Sequence, residues 1–307
     1  MKNVLRWMAG KGAHAARHAP HWARVEAGPL AGCEFFLPKG LKGWAGQIVR
    51  GAYEPGLCME IAALAKHGGT FYDIGAHIGF FSCAWLTLGG AGVESFEPAP
   101  GNAEIVRETL ARNALPLPSP LVGEGRDEQR ESGMRGKRAE PSTAHPSPRV
   151  ACAHVGPLPQ GERATIGRVH EIALGAFDGA GTLMLNAENL GKTSMAYVRE
   201  AGGIDSEREG KVYAKAVEVK IAVRKLDAYA RKHNLPPPRV LKIDVEGAEA
   251  AVLAGAHELL AAHKPIILLE IHNIDAALSC AERLTRLGYR SRTLAKAAGM
   301  PVVRWDA

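Results

Sequence analysis

Apolar and polar positions change rhythm several times along the chain, and each change marks an element. Phe71-Tyr72-Asp73-Ile74 is a short apolar run of strand length. A glycine-bearing turn follows, and then an apolar stretch, Phe80 to Leu88, long enough for a helix. Val93 to Glu97 reads as a second strand, and Asn102 to Asn113 as a helix whose Ile105, Val106, Thr109 and Leu110 share one face. The rhythm returns downstream. Val169 to Leu174 is strand-like, and Thr182 to Leu185 with Lys215 to Val223 suits an added antiparallel pair. Leu226 to His233 reads as a helix stopped by Pro236-Pro237-Pro238, Val240 to Asp244 as a strand, and Ala248 to His263 as a helix. Pro265 to Ile271 is a further strand, Ala276 to Leu287 a further helix, and Tyr289 to Leu294 with Val302 to Trp305 two closing strands. Strands alternating with helices predict an α/β protein built on a parallel sheet.

Two stretches depart from this rhythm. Residues 1–66 mix glycine, tryptophan and short apolar patches, and read as a helical or irregular segment ending in a helix-like run, Leu57 to Lys66. Residues 115–164 are rich in Pro, Gly, Ser and Arg and poor in aromatic residues. Such a stretch buries too little apolar surface to offset the entropy of ordering it. It is expected to be a disordered or loop insertion in a domain spanning 67–307. Its two ends, Pro118 to Gly125 and Gly156 to Arg163, resemble each other and the translation of an intergenic palindromic repeat.

Composition narrows the class. With 307 residues, 46% hydrophobic and 23% charged, the chain can bury a core without staples. Five scattered cysteines, at 33, 58, 83, 152 and 280, form no CxxC pair, which argues against a disulfide framework or structural zinc and suits a reducing, cytoplasmic setting. No run approaches the roughly 18–20 apolar residues of a membrane span. The net charge of +6 is concentrated: Lys2, Arg6, Lys11, Arg17 and Arg24 stand in the first 24 residues without an acid. The remainder is nearly neutral, so no broad basic face for nucleic acid follows. Arg6 and Lys11 also interrupt any secretory core, leaving a loosely ordered or partly packed helical start.

The first motif with chemistry is Asp73-Ile74-Gly75-Ala76-His77-Ile78-Gly79, with a strand entering and a helix leaving. Gly75 lets the backbone turn sharply and Gly79 allows close approach at the helix start. Glu97 ends the next strand, where an acid can accept both hydroxyls of a ribose. The spacing G-A-H-I-G is not the G-x-G-x-x-G of a nicotinamide site. Asp73 before the first glycine repels a pyrophosphate but suits the ammonium of a methionine moiety, directly or through water. The pair therefore favours S-adenosylmethionine over NAD.

The second constellation is Lys242-Ile243-Asp244-Val245-Glu246-Gly247-Ala248-Glu249, which ends a strand and opens a helix, together with Glu270-Ile271-His272-Asn273 at the end of the next strand. Open parallel sheets bind ligands beyond the carboxyl ends of their strands. Asp244, Glu246 and His272 are expected there as the groups that take or orient a proton. Asp244, Glu246 and Glu270 also form a conceivable carboxylate set for a divalent ion, although no residue is assigned as a metal ligand. Glu249 reads as a helix N-terminal charge and Lys242 as structural, its stem packed at the sheet edge.

Taken together, Tyr53-Glu54-Pro55, the Phe71 to Ser82 segment, Phe96-Glu97-Pro98, Leu241 to Glu249 and Glu270-Ile271-His272 resemble the FkbM family of methyltransferases over roughly residues 45–290, the insertion excepted. The resemblance implies a class I, Rossmann-like doubly wound sheet, mostly parallel with an antiparallel final strand. It also implies S-adenosylmethionine as cofactor and, usually, O-methylation of a hydroxyl on a sugar or secondary metabolite. On the same basis Asp73, Gly75 and Gly79 line the methionine end and Glu97 binds the ribose. Tyr53 and Glu54 close over the cofactor, and Asp244 sits beside the methionine or the reacting centre. His77 stands where the family often has Asn.

The expected partner is therefore a small-molecule or glycan acceptor, with residues 175–215 forming part of its pocket. Three rivals are distinguishable: a non-catalytic S-adenosylmethionine-binding protein damaged by the insertion, a nucleic-acid methyltransferase, and a nicotinamide oxidoreductase. The chain has no Asn-Pro-Pro-Tyr-type motif to stack a flipped base.

Overall fold

The computed structural model describes residues 20–38, 42–113, 166–186, 197–201, 216–294 and 302–307. The chain before residue 20 and the whole of the insertion expected at 115–164 lie outside the described residues, as does most of 187–215.

In chain order the elements are β1 (His21–Arg24), β2 (Glu34–Leu37), α1 (Trp44–Val49), α2 (Pro55–Ala65), β3 (Thr70–Ile74), α3 (Phe80–Thr87), β4 (Gly92–Phe96) and α4 (Pro100–Asn113). Then come β5 (Ile166–His170), β6 (Ala173–Leu174), β7 (Gly179–Asn186), β8 (Tyr197–Val198) and β9 (Ala216–Arg224). The last are α5 (Leu226–Lys232), β10 (Pro238–Ile243), α6 (Glu249–Gly255), α7 (His257–His263), β11 (Ile266–Glu270), α8 (Ile274–Arg286), β12 (Arg290–Thr293) and β13 (Val302–Asp306).

The centre is a seven-stranded sheet in the order β12-β13-β11-β10-β3-β4-β5. β11, β10, β3, β4 and β5 pair in parallel, and β13 inserts antiparallel between β11 and β12. This is the expected α/β doubly wound sheet, mostly parallel, with its final strand antiparallel. β3 and β10 are neighbours from which the chain departs in opposite directions, so their carboxyl ends border the crevice of the switch point.

Strands covered by helices on both faces are largely apolar on both, and β3 is, Asp73 apart. Phe71 enters one core cluster with Trp85 of α3, Val106 of α4 and Val240 of β10. Tyr72 and Ile74 enter the other, with Val252 and Leu253 of α6, Leu260 of α7 and Leu284 of α8. Trp85 is fully buried, stacks on Phe71 at 5.2 Å, and donates its indole N–H to the Gly69 carbonyl. α8 starts where Asn273 caps it, its side chain accepting from the Ala276 N–H at 2.7 Å. Ala276, Cys280 and Leu284, spaced by four, then form its buried stripe.

The structure departs from the expected elements in four places. Val169 to Leu174 is two strands in different sheets. β5 ends at His170, whose carbonyl accepts from the Glu97 N–H, and β6 joins β9 in a four-stranded sheet with β7 and β8. The helix expected over Ala248 to His263 breaks at Ala256, at φ −113°. There Gly255 passes so near Gly175 that a Cβ would lie 2.0 Å from its carbonyl oxygen. Residues 21–37 form the β1–β2 hairpin, so the helical start expected over 1–24 is a strand over its described end, His21–Arg24, and otherwise lies outside the described residues; Phe35 and Leu37 join the same core cluster as Ile61 of α2 and Phe80 of α3. Lys242 is not at an edge: β10 lies between β3 and β11, and the side chain is buried.

The hairpin also ties down the end of α4. The Asn113 side chain accepts from the Glu34 N–H and donates to the Glu34 carbonyl, both at 2.9 Å, and the Arg112 guanidinium lies 4.1 Å over the Trp22 ring. β5, beyond the insertion, is held by its register with β4. Each end is thus fixed by contacts within the fold. Among the described residues no helix is long and apolar enough to cross a membrane.

Deleting residues 116–163 would leave four residues between Asn113 and Ile166, an ordinary length for a helix-to-strand connection of about 2–6 residues. The shortened protein is expected to keep the far-UV circular dichroism of the full chain and to melt cooperatively within a few degrees of it. Loss of the cooperative transition would show that the insertion belongs to the folded unit.

Candidate active site

The first half of the site is the turn between β3 and α3. Gly75, at φ +81°, faces the end of β10 so closely that a Cβ would lie 1.9 Å from the Asp244 carbonyl oxygen. Its N–H and that of Ala76 both donate to the Phe96 carbonyl, at 3.0 and 3.1 Å, which binds the turn to β4. Gly79, also at positive φ, brings the start of α3 against Val106 of α4. Between them His77 takes a left-handed backbone at φ 54°, and its N–H donates to Glu97 Oε2 at 2.9 Å. Its ring meets Trp44 of α1 edge-on, with centroids 5.5 Å apart. Burial lowers the His77 imidazole to about 4, so it is neutral near physiological pH.

Glu97 is buried and held from several sides. Oε1 accepts from the Ala99 N–H at 3.0 Å and the Asn102 amide at 3.4 Å, and Oε2 from His77. Burial pushes the carboxyl up to about 7, outweighing these donors. The hydrogen bonds fix the orientation of the group, occupy both acceptor sites of Oε1 and leave one on Oε2 for a further donor.

Beneath the turn runs a polar row in the sheet. Ser95, Asp73 and Lys242 are register partners across β4, β3 and β10 and therefore share a face. The Ser82 hydroxyl of α3 donates to Asp73 Oδ2 at 2.7 Å and lies 2.8 Å from the Ser95 hydroxyl. Lys242 Nζ donates to Asp73 Oδ1 and to the Gly75 carbonyl, both at 3.1 Å, and lies 3.5 Å from Asp244 Oδ2. Asp73 is thus buried with both oxygens engaged inside the protein. Its observed contacts brace the turn from below.

The second half lies beyond β10 and β11. Glu246 and Gly247 both have positive φ, at 52° and 105°, and fold the chain tightly before α6. This brings Asp244 Oδ1 to 3.5 Å and Glu246 Oε2 to 3.7 Å from His272 Nε2. The other ring nitrogen, Nδ1, lies 2.6 Å from Glu249 Oε1, which also accepts from the Gly247 N–H at 2.9 Å. Glu249 is fully buried. It is the first residue of α6, as a helix N-terminal charge would be, but its carboxylate faces the imidazole. That contact was missed in the sequence, where the only signal was a second acid two residues after the glycine of Glu246-Gly247-Ala248-Glu249. Burial pushes Glu246 up to about 7, with His272 opposing and Asp244 and Glu270 adding to the shift. Burial works against the His272 imidazolium, but Glu249, Glu246 and Asp244 together push it up to about 9. The close group is Asp244, Glu246 and His272, each offering an atom within 4.8 Å of the others. The carboxylate trio that would include Glu270 is not the set the structure brings together.

The segment before β3 reaches the same rim. Tyr53 packs edge-on against Phe80, centroids 5.0 Å apart, and burial with the charges of Asp244, Glu54 and Glu270 raises its phenol. Glu54 has φ 41°, and its carbonyl accepts from the Cys58 N–H at the start of α2. Residues 187–196 and 202–215, within the stretch expected to line the acceptor pocket, lie outside the described residues.

The family model described as Methyltransferase FkbM domain matches residues 73–291. Among solved structures, an FkbM methyltransferase from Methylobacillus flagellatus KT is similar at 15% identity and TM-score 0.45; the match covers 78% of this chain and 43% of that one. Precorrin-6y C5,15-methyltransferase from Geobacter metallireducens GS-15 is similar at 12% identity and TM-score 0.38, covering 88% of this chain and 92% of that one. SMU.776, whose structure is complexed with SAH, is similar at 11% identity and TM-score 0.38, covering 89% and 53%. This chain therefore spans less than half the length of the Methylobacillus protein. No curated protein matches it.

Two measurements test the turn. Gly75→Ala should lose more than about 2 kcal/mol of stability in urea unfolding, because the new Cβ meets backbone in a left-handed conformation. An unchanged midpoint would mean the two strand ends do not approach as described. The second concerns Glu97, whose proton is held more tightly in the folded protein than in the unfolded chain. Its contribution to stability is full below about pH 4.5 and is lost as pH rises through about 7. Glu97→Gln cannot ionise, so its urea midpoint should fall less than that of the wild type between about pH 5 and about pH 8. Equal slopes would place the Glu97 titration elsewhere.

Proposed function

We propose, for a chain that belongs to the FkbM family of S-adenosylmethionine-dependent methyltransferases, that the reaction is O-methylation of a hydroxyl on a sugar or secondary metabolite. The observation that carries this reading is the meeting, at one rim of the sheet, of a buried, pre-oriented carboxylate suited to a ribose and a carboxylate–imidazole group suited to a hydroxyl proton.

The residues fit the cofactor. Glu97 is a carboxylate of fixed orientation with an acceptor site left on Oε2 for the ribose, and Gly75 lets the turn close against the end of β10. Tyr53 and Glu54 cover the site from the preceding segment, and Asp73 fixes the turn through Lys242 and Ser82. His77 contributes its N–H to the orientation of Glu97. When bound, S-adenosylmethionine supplies a methyl group on a positively charged sulfur. Asp244, Glu54 and Glu270 make this part of the rim negative, which complements that charge and the ammonium of the methionine moiety.

The protein's task is then alignment. The acceptor oxygen must approach the methyl carbon in line with the departing sulfur. The carbon–oxygen bond forms as the carbon–sulfur bond breaks, the bonding pair stays on sulfur, and the hydroxyl proton leaves the oxygen. Glu246, at about 7, is matched to take that proton near neutral pH. Asp244 accepts a hydrogen bond from the same hydroxyl, and His272 holds both carboxylates in place. The acceptor is a small molecule or glycan rather than a nucleic acid. The cytoplasm is the proposed location, in keeping with four described cysteines that are all free.

Calorimetry with S-adenosylhomocysteine should give micromolar binding that Glu97→Ala weakens by about tenfold or more. Transfer of labelled methyl from S-adenosylmethionine to a panel of glycosides and polyhydroxylated metabolites should find an acceptor. Glu246→Gln should then lower kcat by about 10²–10⁴. A folded wild type that binds no S-adenosylhomocysteine would overturn the reading, and methyl found on nitrogen or carbon would overturn O-methylation.

A further inference from the structure

The mechanism above uses Asp244, Glu246 and His272 but not the carboxylate behind them. Glu249 is fully buried, its Oε2 makes no hydrogen bond among the described residues, and its Oε1 lies 2.6 Å from His272 Nδ1. A buried carboxylate with one oxygen unpartnered is costly unless a positive charge stands beside it. The imidazole is that neighbour. On its far side Nε2 faces Asp244 Oδ1 at 3.5 Å and Glu246 Oε2 at 3.7 Å. A neutral imidazole has one N–H and one lone pair, so one of its nitrogens would aim that lone pair at a carboxylate. With ionised acids at both ends, the doubly protonated ring gives each of them an N–H; a neutral ring fits only if one of the facing carboxyls carries the proton instead.

Resting on the methyltransferase reading, we propose that Glu249 is a positioning residue. It pins His272 as an imidazolium with Nδ1–H on Glu249 and Nε2–H toward Asp244 and Glu246, so that those two carboxylates stay ionised and aligned for the acceptor hydroxyl. His272 is then a fixed cation rather than the base, and Glu246 takes the proton. The other titratable and charged groups around this ring are few among the described residues. Asp244 and Glu246 face it from the turn after β10 and Glu249 from α6. On α8, the Cys280 thiol feels both Glu249 and the Arg283 guanidinium. Glu270 of β11 acts on Glu246. The tilt toward the charged ring agrees with the upward shift of His272.

The test is nitrogen-15 NMR of the histidine rings in the full chain, with and without S-adenosylhomocysteine, with His272 assigned by its loss in His272→Gln. In the wild type both His272 nitrogens should read as protonated at neutral pH. In Glu249→Gln, which keeps an acceptor oxygen but loses the charge, the proton affinity of the ring should fall by about tenfold or more. A neutral His272 in the wild type at neutral pH would overturn the proposal, and so would the same titration in wild type and variant. If Glu249→Gln fails to fold, Glu249→Asp, whose carboxylate is withdrawn by one methylene, takes its place, and the wild-type ring state alone still decides. Absence of S-adenosylhomocysteine binding would count against the methyltransferase reading, whereas the ring measurement on the free protein is unaffected by it.

Discussion

The site depends on one buried cation. Lys242 sits in β10, in the middle of the sheet, where an ammonium has no water to lean on. Burial opposes its charge, but Asp73, Asp244 and Glu270 outweigh burial and keep it protonated. In return it braces three things. It holds the Asp73 carboxylate at the end of β3, it donates to the Gly75 carbonyl and so sets the turn, and it lies beside Asp244 at the crevice. Removing one member of such a pair strands the other, which typically costs about 3–5 kcal/mol. Because Asp73 and Lys242 are opposite each other in a parallel register, a slip of one residue would send one of them to the other face. The ion pair therefore selects the strand pairing as well as the shape of the rim.

Above that row the two halves of the site are built by the same device. Each strand end is followed by backbone in the left-handed region: Gly75, His77 and Gly79 after β3, Glu246 and Gly247 after β10. Non-glycine residues adopt that region at a cost, which the surroundings must outweigh. At His77 the compensation is the N–H given to Glu97. At Glu246 it is the turn closed beneath by Glu249 and Gly247. In both places the strained residue brings its contact to the rim from a turn anchored on the end of a central strand.

What could be read in the sequence was what is local. The Asp73 to Gly79 turn, the acid at Glu97 and the acids after β10 each announce themselves within a few residues of a strand end, and the alternation of strands and helices implies the sheet. Three things were not legible because they are decided at a distance. Glu249 looks like a helix cap until His272, 23 residues later, turns its ring toward it. Lys242 looks like an edge residue because a charge in a strand usually is, and only the Asp73 register partner explains its place at the centre. The break at Ala256 and the split after His170 follow from a neighbouring loop at Gly175 and from a second sheet, neither of which leaves a mark on hydrophobic periodicity.

One modest contact has a use outside catalysis. Asn113 clamps the last turn of its helix to the backbone of Glu34, while the next described strand is registered independently on its neighbour. The two flanking elements are each anchored without reference to the other, so the gene has a seam between them. For a protein engineer, it is a graft port: a place to seat a fluorescent reporter or an affinity handle inside the chain, between two elements that are each held by their own contacts.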